Sequence, residues 1–157
     1  MKKEEILRQN LVELLTSRNA HASFDAAIQD FPAALRGVKP RGAPYSAWQL
    51  LEHIRIAQWD ILEFSRDPKH VSPAWPEGYW PKESAPPTVA AWSKSVRQVR
   101  ADLQAMIKLA KNSKSNLFRK IAHGDGQTLL REILLVADHN AYHVGELVLL
   151  RRVLGAW

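Results

Sequence analysis

The residues with the greatest chemical capability lie near the C-terminus, in Asp138-His139-Asn140-Ala141-Tyr142-His143. On a helix, residues four apart stand one above the other, with Cβ atoms about 5–6 Å apart. Two imidazoles so placed can reach one metal ion at about 2.0–2.1 Å. By itself the spacing is equally the mark of two polar-tipped core residues. His53 shifts the balance, because it shares a helical stripe with Leu50, Ala57 and Phe64 and so faces inward. Three inward imidazoles bring ring nitrogens that all need partners, and a shared metal satisfies one on each ring at once. Three protein ligands also leave coordination positions to water or substrate, the pattern of a catalytic rather than a closed structural site. Such an ion lowers the pKa of a water or thiol that reaches it. Because imidazole binds metal only when neutral, affinity is expected to fall below the ordinary histidine pKa of about 6.5.

Other residues are candidates for supporting roles. Glu146 follows His143 by three positions on the same face, and reads either as a partner for a ligand imidazole or general base, or as a rim charge. Asp60, beyond His53 on its helix, is a weaker candidate for the same task. His123 sits in Ala122-His123-Gly124-Asp125-Gly126 just before the last helix, where it could overhang a pocket and touch substrate; the simpler reading is an exposed loop residue. The Gly-Asp-Gly run is no phosphate loop, since it lacks a following Lys-Ser/Thr and a preceding strand. His21 and His70 have no partners in the sequence and read as surface residues. Asp138 and Tyr142 project about 100° or more from the histidine face, which suits packing or polar contacts elsewhere.

Four long helical patterns must position these groups. The first covers about residues 3–18, with Ile6, Leu7, Leu11, Leu14 and Leu15 on one face. A short helical piece follows at about 23–30, from Ser23 to near Pro32. The second long helix opens on a Ser46/Gln49 capping box, with Tyr45 placed to staple onto Leu50, and runs to about Ser65. The third starts at Thr88 after Pro86-Pro87, its Val89, Trp92, Val96, Val99, Leu103 and Met106 forming the seam of an antiparallel bundle helix. The fourth follows Gly124-Asp125-Gly126 and runs to about Leu154, where Gly155 can end it. Its Leu, Ile and Val content implies burial on more than one side. Strand signals are absent. The expected fold is all-α, one domain over 1–157, an antiparallel four-helix bundle with crossover connections. Between helices two and three, Val71 to Pro81 carries Trp75, Tyr79 and Trp80 among prolines, which makes an ordered loop. It could wall a pocket, but the favoured reading is that Trp75 and Trp80 pack onto the bundle or a partner subunit.

Composition narrows the class. The 157 residues include no cysteine, which excludes disulfides, thiolate metal sites and a protein-borne thiol nucleophile, and suits a reducing cytosol. Met1-Lys2-Lys3-Glu4-Glu5 lacks the apolar run of a secretory signal and no segment suits a bilayer span, so a soluble cytoplasmic protein is expected. The net charge of +6 raises the question of nucleic acid. The basic residues are scattered over helix surfaces, with no zinc-finger spacing, aromatic RNA-binding motif or helix-turn-helix, which speaks against it.

The chain resembles a known family at these motifs. Trp48-Gln49-Leu50-Leu51-Glu52-His53 in the second long helix, followed in the last by His139-Asn140-Ala141-Tyr142-His143-Val144-Gly145-Glu146-Leu147, resembles the DinB-like (DinB/YfiT-like) family over about residues 3–154. The resemblance implies a four-helix bundle and one divalent metal, nickel or zinc, on His53, His139 and His143. It also implies a homodimer acting on a small-molecule substrate. For some members it implies thiol S-transferase or isomerase activity with a low-molecular-weight thiol cosubstrate such as bacillithiol or mycothiol. The lack of cysteine fits, since the sulfur would come from the cosubstrate. A metal-dependent hydrolase and a non-catalytic metal-binding or stress-response module are the alternatives.

Overall fold

The computed structural model describes residues 3–16 and 20–157. Its helices are α1 (Lys3–Thr16), the short α2 (Phe24–Ile28), α3 (Ala47–Arg66), α4 (Val89–Lys111) and α5 (Leu129–Val153), with single 3-10 turns at Ala33–Leu35 and Glu77–Tyr79. Among the described residues there is no strand, and only an isolated bridge joins Lys120 to Thr128. The end expected for the first helix near residue 18 lies outside the described residues.

Local chemistry sets the helix ends. Ser46 accepts from the Gln49 amide while the Gln49 side chain accepts from the Ser46 amide, completing the capping box at the start of α3. Thr88 and Thr128 cap α4 and α5 in the same way, each hydroxyl accepting from the amide three residues on. At the far end of α5, Gly155 takes φ 66°, and the Gly155 and Ala156 amides donate to Arg152 and Arg151 carbonyls. That is a Schellman stop, and it needs the left-handed backbone that glycine adopts without penalty.

α3 and α1 occupy opposite corners of the bundle, with α4 and α5 between them. α3 and α4 run in the same direction, because residues near both N-termini (Trp48, Leu51, Trp92, Val96) share one apolar cluster and residues near both C-termini (Ile61, Leu62, Met106, Ile107) share another. α5 opposes them, placing Leu147 and Leu150 in the first cluster and Leu129 and Ile133 in the second. The crossover that makes α3 and α4 parallel is the aromatic, proline-rich segment between them. Arg8 of α1 is buried and donates to the Ala110 carbonyl, left open at the C-terminal end of α4, and to the Ser115 carbonyl in the turn that follows.

Not every apolar position is inside. Leu11 and Leu15 anchor α1, whereas Ile6 and Leu14 remain exposed. Trp92, Val96, Val99 and Met106 follow the predicted α4 seam, but Val89, in its first turn, is exposed. On α5 the expected burial on several sides is incomplete, because Leu134, Leu149 and Val153 are exposed. The two apolar clusters are separated by a layer in which α3 contributes His53 and Gln58, α4 contributes Asp102, and α5 contributes His139, Asn140 and His143. Polar side chains in a core cost stability unless partnered, so this layer is where the fold departs from simple packing.

Candidate metal centre

The polar layer brings three imidazoles together. His53 from α3 and His139 and His143 from α5 each offer one ring nitrogen, and these atoms lie within 4.8 Å of one another. His53 and His143 are buried and His139 half-buried. Nitrogens held by one tetrahedral ion at 2.0–2.1 Å stand about 3.3 Å apart, so the cluster has the dimensions of a site that one ion can close.

The second nitrogen of two rings fixes which atom is free. His53 Nδ1 lies 3.0 Å from the Tyr79 carbonyl, which can only accept, so Nδ1 carries the hydrogen and Nε2 presents a lone pair. His143 Nδ1 lies 2.6 Å from a Glu146 carboxylate oxygen, which likewise leaves Nε2 available. His139 Nε2 stands 3.1 Å from His53 Nε2, with its own Nδ1 buried and unpartnered. Two nitrogens of adjacent imidazoles turned toward each other, with carbonyl and carboxylate acceptors behind the cluster, form a donor set suited to a borderline divalent transition-metal ion.

The electrostatics favour neutral rings. Burial first, then the neighbouring His143 and His53, pull the His139 pKa down to about 4. Burial, then His53, pull His143 down to about 4 as well. Burial lowers His53, against opposing contributions from the Tyr79 carbonyl and Glu146. These shifts move the expected pH dependence downward: with His139 and His143 still neutral well below 6.5, protons compete for those two ligand nitrogens only at lower pH.

The crossover segment holds the site from outside. The Trp80 ring lies between two others, stacked on His53 at 3.8 Å and 4° and on Tyr45 at 3.8 Å and 12°. Tyr45, expected as a staple onto Leu50, thus also clamps the loop through Trp80. Asp60 lies behind this arrangement rather than on a ligand. Its carboxylate accepts from the Tyr79 hydroxyl at 2.6 Å and meets His70 Nε2 at 2.7 Å. Asp60 therefore fastens the segment whose Tyr79 carbonyl orients His53. This corrects the reading of His70 as a surface residue: its side chain is 7% exposed, edge-on to Trp59 and paired with Asp60. His21, by contrast, is exposed as expected.

His123 is not brought to the cluster. Its Nε2 meets the Phe64 carbonyl at 2.8 Å, eleven residues and about 16 Å along α3 from His53. The reason is local, since the loop before α5 folds back onto the C-terminal end of α3, one full apolar cluster away from the histidines. A substrate contact for His123 has no support in this position.

An open cleft of about 550 Å³ lies against the histidines. Its walls include Ala57, Ile61, Trp75, Tyr79, Trp80, Leu135, Tyr142 and Glu146. The aromatic loop thus walls a pocket as well as packing: Trp80 covers His53, while Trp75 is 73% exposed at the cleft and does not bury against the bundle. Tyr142 stands edge-on to His143 at 4.9 Å and also lines the cleft, despite its angular distance from the histidine face.

A further support was not anticipated from sequence. Asn140, next to His139, donates to Gln58 at 2.7 Å, and Gln58 donates to the Val99 carbonyl at 2.7 Å. This buried chain ties α5 to α3 and α4 beside the ligand cluster. A glutamine on the inward face of α3, where only apolar residues would be expected, was the available signal.

Among the described residues no helix is long and apolar enough to cross a membrane. No curated protein and no solved structure matches the chain well enough to add to these observations. The family pattern described as the DinB superfamily matches residues 17–147, which include all three histidines and the aromatic crossover. With the helical bundle and the histidine cluster in place, that match shows that the chain belongs to the DinB superfamily.

Proposed function

We propose that this protein is a divalent-metal-dependent enzyme acting on a small molecule, and that its reaction is the transfer of a low-molecular-weight thiol to an electrophile. The observation that carries the reading is that the three converging histidines form a wall of an open cleft rather than a closed core site. His53, His139 and His143 would hold the ion, which supplies Lewis acidity that makes a thiol nucleophilic at neutral pH. Overall the thiol loses its proton to solvent, its sulfur bonds to the electrophilic carbon, and the leaving group departs with the electron pair of the broken bond. Glu146 orients His143, the Tyr79 carbonyl orients His53, and Trp80 shields His53 from water on one face.

Two features weigh against a non-catalytic metal module. Glu146 is engaged behind His143 and so is not free to saturate the ion, and the cleft is within the volume range of small-molecule sites. Hydrolysis by an ion-held hydroxide is the alternative reaction, and both carboxylates that line the cleft, Glu146 and Asp60, are engaged in hydrogen bonds, so neither is a free general base for it.

The test is spectroscopic. Cobalt-substituted protein should gain a sulfur-to-cobalt charge-transfer band with one member of a panel containing bacillithiol, mycothiol, glutathione and coenzyme A, and that thiol should support conjugation to a small electrophile. His143→Ala should abolish both. If no member of the panel changes the spectrum or is consumed, thiol transfer is wrong and hydrolysis becomes the leading reaction.

A further inference from the structure

A second, smaller cavity of about 310 Å³ adjoins the cleft, and the two share Tyr45 and Glu146 as common walls. Beyond that boundary the lining is apolar, made by Leu50, Leu149, Leu150 and Val153 together with the turn that precedes α3. Leu149 and Val153 are 64% and 61% exposed, so this apolar side of α5 has no cover within the chain.

The turn places one charge at the cavity. The Ala43 amide donates to the Pro40 carbonyl at 3.0 Å, and Gly42 takes φ 88° at the third position. This is a type II turn, with glycine where the backbone requires a positive φ, and it presents Arg41 at its tip. Arg41 lines the cavity, and among the described residues no acceptor meets its guanidinium. Neighbouring arginines are used otherwise: Arg36 and Arg151 donate to backbone carbonyls. An unpaired guanidinium beside an apolar slot suits an anion carried on an apolar body.

We infer that this cavity is a binding subsite for the far end of the substrate, and that the substrate class is an elongated amphipathic acid. Its reacting group lies at the histidines, its apolar chain or ring beside Leu149 and Val153, and its carboxylate on Arg41. The span from Glu146 to Val153 is seven residues of α5, about 10 Å. That length accommodates a chain of roughly eight carbons, given C–C bonds of about 1.5 Å. The inference rests on the reading of the adjoining cleft as a substrate site, but the subsite itself uses no metal ligand.

The test measures binding of straight-chain carboxylates from four to twelve carbons, and of the matching primary alcohols, to metal-loaded and metal-stripped protein. Affinity should rise about twofold per methylene, as expected where an open groove buries about half of each group, and level off near eight carbons. Arg41→Gln should weaken carboxylates about threefold, since Arg41 is exposed and its charge is screened, and leave the alcohols unchanged. Leu149→Glu, at an exposed position that tolerates charge, should weaken both series. Metal content, measured in the same samples, should be unaffected in both variants. Chain-length dependence that survives metal stripping supports the subsite even if the metal-enzyme reading fails. Binding that ignores chain length, that persists equally in Arg41→Gln, or that vanishes on stripping overturns the subsite while leaving the metal reading intact. A dimer that Leu149→Glu converts to monomer also overturns it, because the apolar side of α5 would then be a subunit interface.

Discussion

Removing the Glu146 carboxylate separates a supporting role from a ligand role. Its oxygen lies 2.6 Å from His143 Nδ1, a distance characteristic of a charge-assisted hydrogen bond. Such bonds contribute about 1.5–3 kcal/mol when buried. The Glu146 side chain is 32% exposed, and screening reduces the figure to about half, or roughly 1–1.5 kcal/mol. At about 1.4 kcal/mol per factor of ten, Glu146→Ala should weaken zinc binding about tenfold. Glu146→Gln keeps an acceptor for Nδ1–H and removes only the charge, so it should weaken binding about threefold. Competition against a chromophoric chelator at pH 7.5 measures both, with circular dichroism confirming an unchanged helical fold. If Glu146 were instead a fourth ligand, both variants would lose far more, and Glu146→Gln would not rescue Glu146→Ala. Unaltered affinity in Glu146→Ala would refute the role of this hydrogen bond.

Three other outcomes follow from the same geometry. His139 and His143 are held near pKa 4, below the ordinary value of about 6.5, so the unfolded chain binds more protons than the fold between those limits. Metal-free protein should therefore lose stability as pH falls from about 6.5 toward 4, whereas metal retention by the folded protein should hold to about pH 5; urea titrations and metal retention across this window test both. Asp60→Ala removes the acceptor shared by Tyr79 and His70 and should lower metal affinity several-fold through the loosened His53, with Tyr79→Phe doing less because it spares the His70 pair. Leu147→Ala, at a fully buried position on α5, should cost about 2–5 kcal/mol of unfolding free energy without changing the metal ligands.

Much of this arrangement was legible in the sequence because it depends on helical periodicity. The Ser46/Gln49 box, the stop at Gly155 and the i,i+4 spacing of His139 and His143 are local signals, and each takes the predicted form. The pairing of His53 with that couple followed from its inward stripe and the need to satisfy buried nitrogens. What was not legible depends on the loops. His70 looked solitary because its partner, Asp60, is reached only when the segment after Pro68 folds back along α3. His123 looked adjacent to the site because it precedes α5 in the chain, yet the start of α5 lies at the opposite end of the bundle from Val144 and Leu147. Trp80 was expected to pack, and it does, but onto a candidate ligand; only the backbone path decides what an aromatic in a loop covers.

The central claim, that His53, His139 and His143 hold one divalent ion, is tested most directly by elemental analysis of tag-free protein purified without added metal. The wild type should carry close to one transition-metal ion per chain. His53→Ala, His139→Ala and His143→Ala should each lose most of it, while His21→Ala and His123→Ala retain it. Metal-free wild-type protein that also fails to take up zinc or nickel, or equal retention by all five variants, would contradict the account.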